Sequence, residues 1–240
     1  MNYTIIALVF IIIFMLYLGY TYFKNMGTIT TVLSLGETDT DKTTINSAKI
    51  SNPNSSTFHY EGWLYLNELP SNVNNIICSR VTNNDTNHTA LVLKGTTFSL
   101  ATVTTASSTP AIGTATDASC LTILAITTDF PIQKWVYVVV NVFKNKQIEA
   151  YLNGKLVITS NMTSEIEPKL SGKVRLCNST TLKGYITLFR YDSTALSPDA
   201  VWKKYLSGNG MMSLSNWLAG YNASFTISQN MEQLRKYTLI

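Results

Sequence analysis

Two side chains capable of acid–base chemistry lie close together in the segment TFHYEGWLYL, namely His59 and Glu61. Residues two apart in an extended strand point to the same side of it, so this pair has the spacing for proton transfer. No nucleophile lies nearby in the sequence, and catalysis needs more than one such pair. We therefore interpret His59 and Glu61 as a hydrogen-bonded pair on a strand surface.

A second acidic pattern occurs at Glu37, Asp39 and Asp41, where carboxylates alternate with threonines. The alternation gives no apolar face that would hold a strand against a core, so we interpret these acids as solvated linker residues. A glycoside hydrolase needs two carboxylates about 5 to 9.5 Å apart in a cleft. No strand in the sequence frames such a pair, and we expect no catalytic residue and no enzyme activity.

The cysteines Cys78, Cys120 and Cys177 lie far apart and form no CxxC motif. At most one disulfide can form within the chain, and its pairing is left open. Only His59 and His88 are available to complete a zinc cluster, so we expect neither a metal nor a cofactor. The net charge of +4 contains no basic run with interleaved aromatic residues, which excludes nucleic acid as an expected partner.

The segment 5–22, IIALVFIIIFMLYLGYTY, is apolar and aromatic and carries no charge. At 1.5 Å per residue a helix of this length crosses about 27 Å of hydrocarbon, so we predict an uncleaved anchor within residues 1–24 of a single-pass membrane protein, with the lipid bilayer as a partner. A signal peptide would have a shorter apolar core and a small-residue cleavage site. The anchor residues include Ile5, Leu8, Phe10, Ile13, Leu16 and Tyr22.

The orientation of this anchor is left open by two opposing observations. Lys24 follows the apolar segment and places the large domain on the cytoplasmic side by the positive-inside rule. Acceptor sequences for N-glycosylation would instead place the domain in a lumen. Chance alone produces several such triplets in a chain rich in Asn, Ser and Thr. They begin at Asn54, Asn84, Asn87, Asn161, Asn178 and Asn222.

We predict that residues 25–56 form a stalk with a possible first strand at 28–35, that 57–210 form a β-sandwich, and that 211–240 form a tail hairpin packed on it. Within the sandwich, the segment 135–143 has β-branched and aromatic residues on both alternating faces, as a central strand does. The next strand alternates cleanly and includes Tyr151. Asn153 and Gly154 then suit a two-residue type I′ turn.

One short helix is predicted after the last sandwich strand. Ser197 is a suitable N-cap, Pro198 suits the first helical position, and Asp199 lies near the positive end of the helix dipole. The apolar side chains of the helix share one face, which we expect to pack across an edge or end of the sandwich. They are Val201, Trp202, Tyr205 and Leu206.

The order of these features resembles the laminin-G-like branch of the concanavalin A-like jelly rolls. FHYEGWLYL with NNIICSRV resembles the opening strands of that family. KWVYVVVNV with IEAYLNGKLV resembles its Trp strand and hairpin, and KGYITLFRYDSTALSPDAVWKKYLSGNG its closing strand and helix. The resemblance implies an all-β, two-sheet antiparallel jelly-roll sandwich that mostly binds sugars or proteins. The residues that we expect to define this fold are Trp63, Trp135, Tyr151, Asn153, Gly154 and Trp202.

Two functions follow as expectations. A single laminin-G-like domain behind a membrane anchor resembles membrane-associated virion proteins of large icosahedral DNA viruses. This implies a non-enzymatic structural protein, such as a minor capsid or inner-membrane component, that contacts capsid proteins between an internal membrane and the capsid. The alternative is a cell-surface lectin that binds a glycan through exposed aromatic residues and Asn or Asp side chains. The oligomeric state and the identity of the partner stay open.

Overall fold

The structure is a computed structural model that describes residue 8 and residues 10–18, 28–29, 31–81, 87–103, 121–162, 172–176, 182–209, 223–229 and 232–239. Residues 10–18 form a helix, α1, whose side chains are all apolar or aromatic and all exposed. Within the described ranges, no helix is both long enough and apolar enough to cross a membrane. The predicted anchor residues Leu8, Phe10, Ile13 and Leu16 are exposed, whereas Ile5 and Tyr22 lie outside the described residues.

Two antiparallel sheets form the sandwich, as the sequence predicts. The seven-stranded sheet has the order β1-β13-β4-β9-β10-β11, with β2 also paired to β13, and the six-stranded sheet has the order β3-β12-β5-β6-β7-β8. The first strands are β1 (Thr28–Ile29), β2 (Leu33–Ser34), β3 (Thr44–Ile45), β4 (Phe58–Leu66), β5 (Asn75–Val81), β6 (Asn87–Lys94), β7 (Thr97–Val103) and β8 (Leu121–Thr127). The later strands are β9 (Trp135–Val142), β10 (Gln147–Leu152), β11 (Lys155–Asn161), β12 (Val174–Leu176) and β13 (Gly184–Asp192).

The main core lies between the sheets and is built by alternation along their central strands. On β9, every second residue from Val136 to Val142 enters this core, whereas Tyr137 and Val139 enter a separate cluster on the outer face of the seven-stranded sheet. β4 follows the same rule. Its core residues are Phe58, Tyr60, Leu64 and Leu66. Both faces of these strands are covered by other parts of the protein. Apolar residues therefore occur on both faces, instead of alternating with polar residues.

The prediction of a stalk over residues 25–56 differs from the structure. β1 and β2 pair with β13 in one sheet, and β3 pairs with β12 in the other. Leu33, Leu35, Ile45 and Ile50 are buried in the main core. The strands are only two residues long and are separated by a short helix α2 (Thr40–Thr43) and a 3₁₀ turn (Ser47–Lys49), so no sustained alternation marks them in the sequence. Asp39 caps α2 and is partly exposed to solvent.

The turn between β10 and β11 has the predicted geometry. Asn153 has φ +51° and Gly154 has φ +77°, which are the two positive values that a type I′ turn requires. Ile148 and Ala150 of β10 enter the main core, and Tyr151 enters the cluster on the outer face. The hairpin therefore extends the seven-stranded sheet to its edge strand, β11, and contributes to both of its faces.

Helix α3 (Pro198–Leu206) begins as predicted, since the Ser197 hydroxyl accepts a hydrogen bond from the Ala200 backbone N–H at 3.3 Å. It does not pack across an edge or end of the sandwich. Val201 is fully buried in the cluster on the outer face of the seven-stranded sheet, with Tyr205 packed against it. Trp202 and Leu206 are 42% and 64% exposed, so only part of the predicted apolar face is used.

The C-terminal hairpin consists of β14 (Ala223–Gln229) and β15 (Glu232–Leu239). The two strands pair antiparallel and form a sheet of their own. Alternating apolar and polar residues favour this hairpin over the helix that the same segment would otherwise allow. The predicted packing of the hairpin on the sandwich stays a prediction.

Candidate functional site: an aromatic row beside a buried ionic cluster

The candidate site lies on the outer face of the seven-stranded sheet. The side chains of β4 that do not enter the main core point to this face. His59, Glu61, Trp63 and Tyr65 alternate with the core residues of β4 and therefore point outward. The neighbouring strands are β13 and β9. In register, β13 places Tyr185 opposite Tyr65, and β9 places Trp135 opposite the same residue.

These three residues form what we call the aromatic row: Tyr185, Tyr65 and Trp135. The ring centroids of Tyr65 and Trp135 are 5.4 Å apart, and those of Tyr65 and Tyr185 are 6.4 Å apart. Tyr185 is 43% exposed, and the other two rings are half-buried. The planes are tilted by 51° and 44°, so the rings present a stepped surface to solvent instead of one flat plane.

Polar groups border the aromatic row where its strands begin or end. Gln133 lies just before β9 with φ +56°, and its backbone N–H donates to the Leu66 carbonyl at 2.8 Å. This turn brings the exposed Gln133 amide within 3.4 Å of the Asn67 carbonyl. Lys183 and Glu68 form an exposed ion pair at 2.9 Å next to the same strand ends. Amide and charged groups therefore lie beside an accessible aromatic surface.

The aromatic surface continues beneath α3, where it is closed to solvent. Trp63 and Tyr137 lie side by side on β4 and β9 with ring centroids 5.3 Å apart, and both are buried. Tyr205 of α3 stacks on Trp63 at 5.8 Å with an interplanar angle of 22°. The helix thus covers this second pair of aromatic rings and leaves the aromatic row open.

Glu61 lies at the contact between the sheet and α3 and is 6% exposed. Its Oε2 accepts a hydrogen bond from the Tyr137 hydroxyl at 2.8 Å, and its Oε1 accepts one from the Lys204 ammonium. Burial opposes ionisation of Glu61, but the nearby His59 ring and the Lys204 ammonium outweigh it and lower the pKa of the carboxyl from 4.5 to about 2. Burial, together with the Glu61 charge, raises the pKa of the Tyr137 hydroxyl.

His59 completes this cluster, but not as a proton-transfer catalyst. Its Nδ1 lies 2.5 Å from the Thr194 carbonyl, which can only accept, so Nδ1 carries the proton of this bond. Its Nε2 lies 3.8 Å from Glu61 Oε1. Both side chains are almost fully buried, and α3 contributes Lys204 directly above them. The arrangement fixes the segment that leads into α3.

The Asn141 side chain of β9 also binds the segment that leads into α3. Its side-chain N–H donates to the Leu196 carbonyl at 2.8 Å, and its side-chain oxygen accepts from the Leu196 backbone N–H at 3.0 Å. Sequence reasoning missed Asn141, Tyr137 and Lys204 as partners of this cluster. The alternation of β9 does place Asn141 and Tyr137 on the outward face, which was the available signal; the position of Lys204 depends on how α3 lies across the sheet.

The residues that the sequence predicts to define the fold lie in several different parts of the structure. Trp63 and Tyr151 lie in the buried cluster beneath α3, Trp135 lies in the aromatic row, and Asn153 and Gly154 form the β10–β11 turn. Trp202 lies over this turn, since a Cβ placed on Gly154 would lie 2.7 Å from Trp202 Cε3. In addition, the Asn153 side-chain oxygen accepts from the Tyr137 backbone N–H at 3.0 Å.

The structure describes three of the predicted N-glycosylation positions. Asn54 and Asn161 are exposed, and Asn87 is the first residue of β6. Asn84, Asn178 and Asn222 lie outside the described residues, as do Cys120 and Cys177. Cys78 is fully buried in the main core. Use of any of these sequons stays a prediction.

The fold and this outward face identify a class of proteins. A family model described as the concanavalin A-like lectin/glucanases superfamily matches residues 37–201, and the chain belongs to that superfamily. The match begins before β3, so it includes the strand that residues 44–45 add to the six-stranded sheet. A comparison with curated proteins found no match.

The solved structures that this chain resembles include two binding domains. One is the binding domain of Paraclostridial Mosquitocidal Protein 1, with a TM-score of 0.52, 12% identity, and coverage of 75% of this chain and 46% of that chain. Another is the binding domain of Botulinum Neurotoxin DC in complex with SialylT, with a TM-score of 0.49, 15% identity, and coverage of 63% and 35%. This chain thus spans less than half of either protein chain, and the likeness is one of fold.

Proposed function

We propose that this chain is a non-enzymatic binding protein whose jelly roll takes a carbohydrate ligand on the aromatic row, in agreement with the lectin alternative from the sequence. The aromatic row is the observation that carries the proposal. Three partly exposed rings on adjacent strands, bordered by the Gln133 side-chain amide and the Asn67 backbone carbonyl, provide apolar faces for sugar C–H groups and hydrogen-bonding groups for hydroxyls.

The non-enzymatic part of the proposal is supported by the surroundings of Glu61. This carboxylate is covered by α3, and both of its oxygens accept hydrogen bonds from the protein. Its low pKa keeps it ionised, which is unsuited to a general acid that must donate a proton to a glycosidic oxygen. A glycan held on the aromatic row would meet rings and amides instead of a framed pair of carboxylates.

A glycan array probed with the full chain in detergent tests the carbohydrate proposal. We expect binding that persists when calcium is chelated, and a loss of roughly fivefold in affinity for Trp135→Ala or Tyr185→Ala, since a stacked ring contributes about 1 kcal/mol. Trp202→Ala is the matched control because it removes another partly exposed indole outside the aromatic row. The carbohydrate proposal would be wrong if no glycan bound, or if Trp202→Ala weakened binding as much as Trp135→Ala.

We also propose that the apolar segment 5–22 holds the chain in a membrane. The support for this is that every described side chain of α1 is apolar or aromatic and exposed, from 44% at Leu18 to 69% at Phe10. Such a surface is unfavourable in water. Extraction of membranes with alkaline carbonate tests this attachment: the full chain is expected in the pellet, and its release to the supernatant would contradict an anchor.

A role in protein contacts within a virion is the second candidate function. Contact with another protein is supported by the outward side chains of α3, since Trp202 and Leu206 are 42% and 64% exposed and large apolar residues of this kind serve as anchors in protein interfaces. Purified virions treated with protease test this role. The chain is expected in such particles and protected until the capsid is opened, and its absence from them would exclude the role.

A further inference from the structure

The outer face of the six-stranded sheet carries a second, smaller apolar cluster, which we call the outer patch: Ile76, Ala90, Val92 and Ala101. Their exposed fractions are 8%, 0%, 6% and 1%. These residues cannot belong to the core between the sheets, because their neighbours Leu91 and Leu100 already point into it. A sheet face open to water leaves its valine and isoleucine side chains accessible, so the burial of the outer patch requires a covering segment.

Neither of the two longer helices provides this cover. Helix α3 lies on the other sheet, and the side chains of α1 are exposed throughout. The covering segment does not reach the edge strand β8. Ile123 on that strand is 55% exposed, although it lies directly opposite Ala101. The covering segment therefore extends over β5, β6 and β7 and stops short of β8.

The C-terminal hairpin has the sequence pattern that such a cover needs. Its register pairs Ala223 with Leu239, Phe225 with Tyr237 and Ile227 with Arg235, so this face is apolar apart from one arginine near the turn. Thr226 and Lys236 pair on the opposite face. A two-stranded hairpin is marginally stable in water by itself, and packing one apolar face against a larger sheet gives it the missing stabilisation.

The length of the chain allows this placement, and the composition of another segment argues against an alternative. The connection from Asn209 to Ala223 reaches roughly 45 Å when extended, whereas packed sheets lie about 10 Å apart. Residues 104–120 also adjoin this sheet in sequence, but they consist mainly of Thr, Ala and Ser, with Ile112 as their one large aliphatic residue. The hairpin supplies an aromatic and aliphatic face instead.

We propose that the C-terminal hairpin packs the face containing Phe225 and Tyr237 on the outer patch, as a third layer of the domain. This inference does not depend on the proposed ligand. It closes the outer face of the six-stranded sheet over β5 to β7, while the aromatic row on the opposite side of the sandwich stays accessible. The domain then includes residues up to 239 as an integral part of its fold.

Photo-crosslinking in the full chain tests this packing. Phe225 is replaced by p-benzoylphenylalanine, the protein is irradiated, and crosslinked peptides are identified by mass spectrometry. We expect crosslinks to the peptides that contain Ile76, Val92 or Ala101, at a yield several-fold above that of the same probe at Thr226, which lies on the opposite face. A probe at Tyr237, opposite Phe225, repeats the test in case the first variant folds poorly.

Three outcomes would overturn the proposal. Crosslinks from positions 225 and 237 to α3 or to the aromatic row would place the hairpin on the other sheet. Equal crosslinking from positions 225 and 226 would show no oriented contact. Folded protein with no crosslink to β5, β6 or β7 from either position would show that another segment covers the outer patch.

Discussion

Glu61 is buried between the seven-stranded sheet and α3, and groups from β4, β9 and α3 surround its charge. A buried carboxylate is costly unless it is paired and hydrogen-bonded. Here the Tyr137 hydroxyl and the Lys204 ammonium satisfy one oxygen each, and His59 lies close by. The ionised form of Glu61 is therefore more stable in the folded protein than in water, as its pKa of about 2 indicates.

Glu61→Gln tests this role at a single residue. Because the folded pKa of about 2 lies below the usual 4.5, the carboxylate stabilises the fold above pH 4.5, and this contribution is lost as the pH falls towards 2. The difference corresponds to about 3 kcal/mol at most, since Lys204 is partly exposed. We expect Glu61→Gln to lower the free energy of unfolding at pH 7 by about 1–3 kcal/mol, measured by urea denaturation.

The gap between Glu61→Gln and the unmutated protein should narrow as the pH falls towards 2, because Glu61 is then neutral in the unfolded chain and increasingly protonated in the folded protein. Glu68→Gln is the control, since Glu68 forms an exposed pair with Lys183 and such pairs contribute little. An unchanged stability of Glu61→Gln at pH 7, or a gap independent of pH, would contradict the ionic role of Glu61.

Gly154 is required by its backbone and by its neighbours. Its φ of +77° is unfavourable for a residue with a Cβ, and a Cβ there would lie 2.7 Å from Trp202 Cε3 and 3.1 Å from Tyr205 Cδ1. Gly208 has nearly the same φ, +76°, but open space around it. We expect Gly154→Ala to lower the free energy of unfolding by about 2–4 kcal/mol and Gly208→Ala by about 1 kcal/mol, measured by urea denaturation. Equal effects would show that α3 does not press on the turn.

At the scale of elements, α3 determines which part of the outer face is available. Val201 and Tyr205 pack on the sheet, Lys204 pairs with Glu61, and Asn141 holds the preceding Leu196. These contacts come from β4, β9 and β10 together, so the helix and the sheet stabilise each other. The aromatic row remains accessible to solvent because it lies two residues away, along β4 and β9, from the rings that α3 covers. On β4, for example, Tyr65 follows Trp63 by two residues.

The N-cap of α3 offers a test of this coupling. Ser197→Ala removes the acceptor of the Ala200 N–H bond and is expected to lower the free energy of unfolding by about 1 kcal/mol. Ser197→Asp keeps an acceptor and places a negative charge at the helix N-terminus, so its stability should equal or exceed that of the unmutated protein. Thermal unfolding by circular dichroism measures both. Destabilisation by Ser197→Asp equal to that by Ser197→Ala would exclude a capping role.

At the scale of the molecule, local patterns in the sequence predict the parts that depend on neighbouring residues. The alternation along β4 and β9, the Asn153–Gly154 turn and the Ser197 cap all follow from short-range physical preferences. The aromatic row does not, because Tyr65, Trp135 and Tyr185 meet only through the order β13-β4-β9, which is set by long-range pairing. The strands β1, β2 and β3 cannot be predicted from the sequence for another reason. Each is only two residues long, which is too short to show an alternating pattern.

Buried tyrosines make the stability of the whole sandwich dependent on pH in the alkaline range. Burial raises the pKa of Tyr191 and of Tyr151 to about 12, and it raises that of Tyr60 as well. These residues lie in the main core and beneath α3, so both regions resist ionisation together. The unfolded chain loses its tyrosine protons near pH 10, before the folded protein does, so stability must fall as the pH rises from 10 to 12.

We therefore expect cooperative unfolding in this alkaline range, with loss of the β-sheet circular dichroism signal coinciding with the appearance of tyrosinate absorbance. Tyr191→Phe keeps the ring and removes the hydroxyl, for which the described residues provide no hydrogen-bond partner. This variant should unfold at a higher pH than the unmutated protein. Tyr185→Phe, which changes a partly exposed ring in the aromatic row, should leave the midpoint unchanged. A gradual rise of tyrosinate absorbance while the circular dichroism signal persists would show that the buried hydroxyls ionise without unfolding the sandwich.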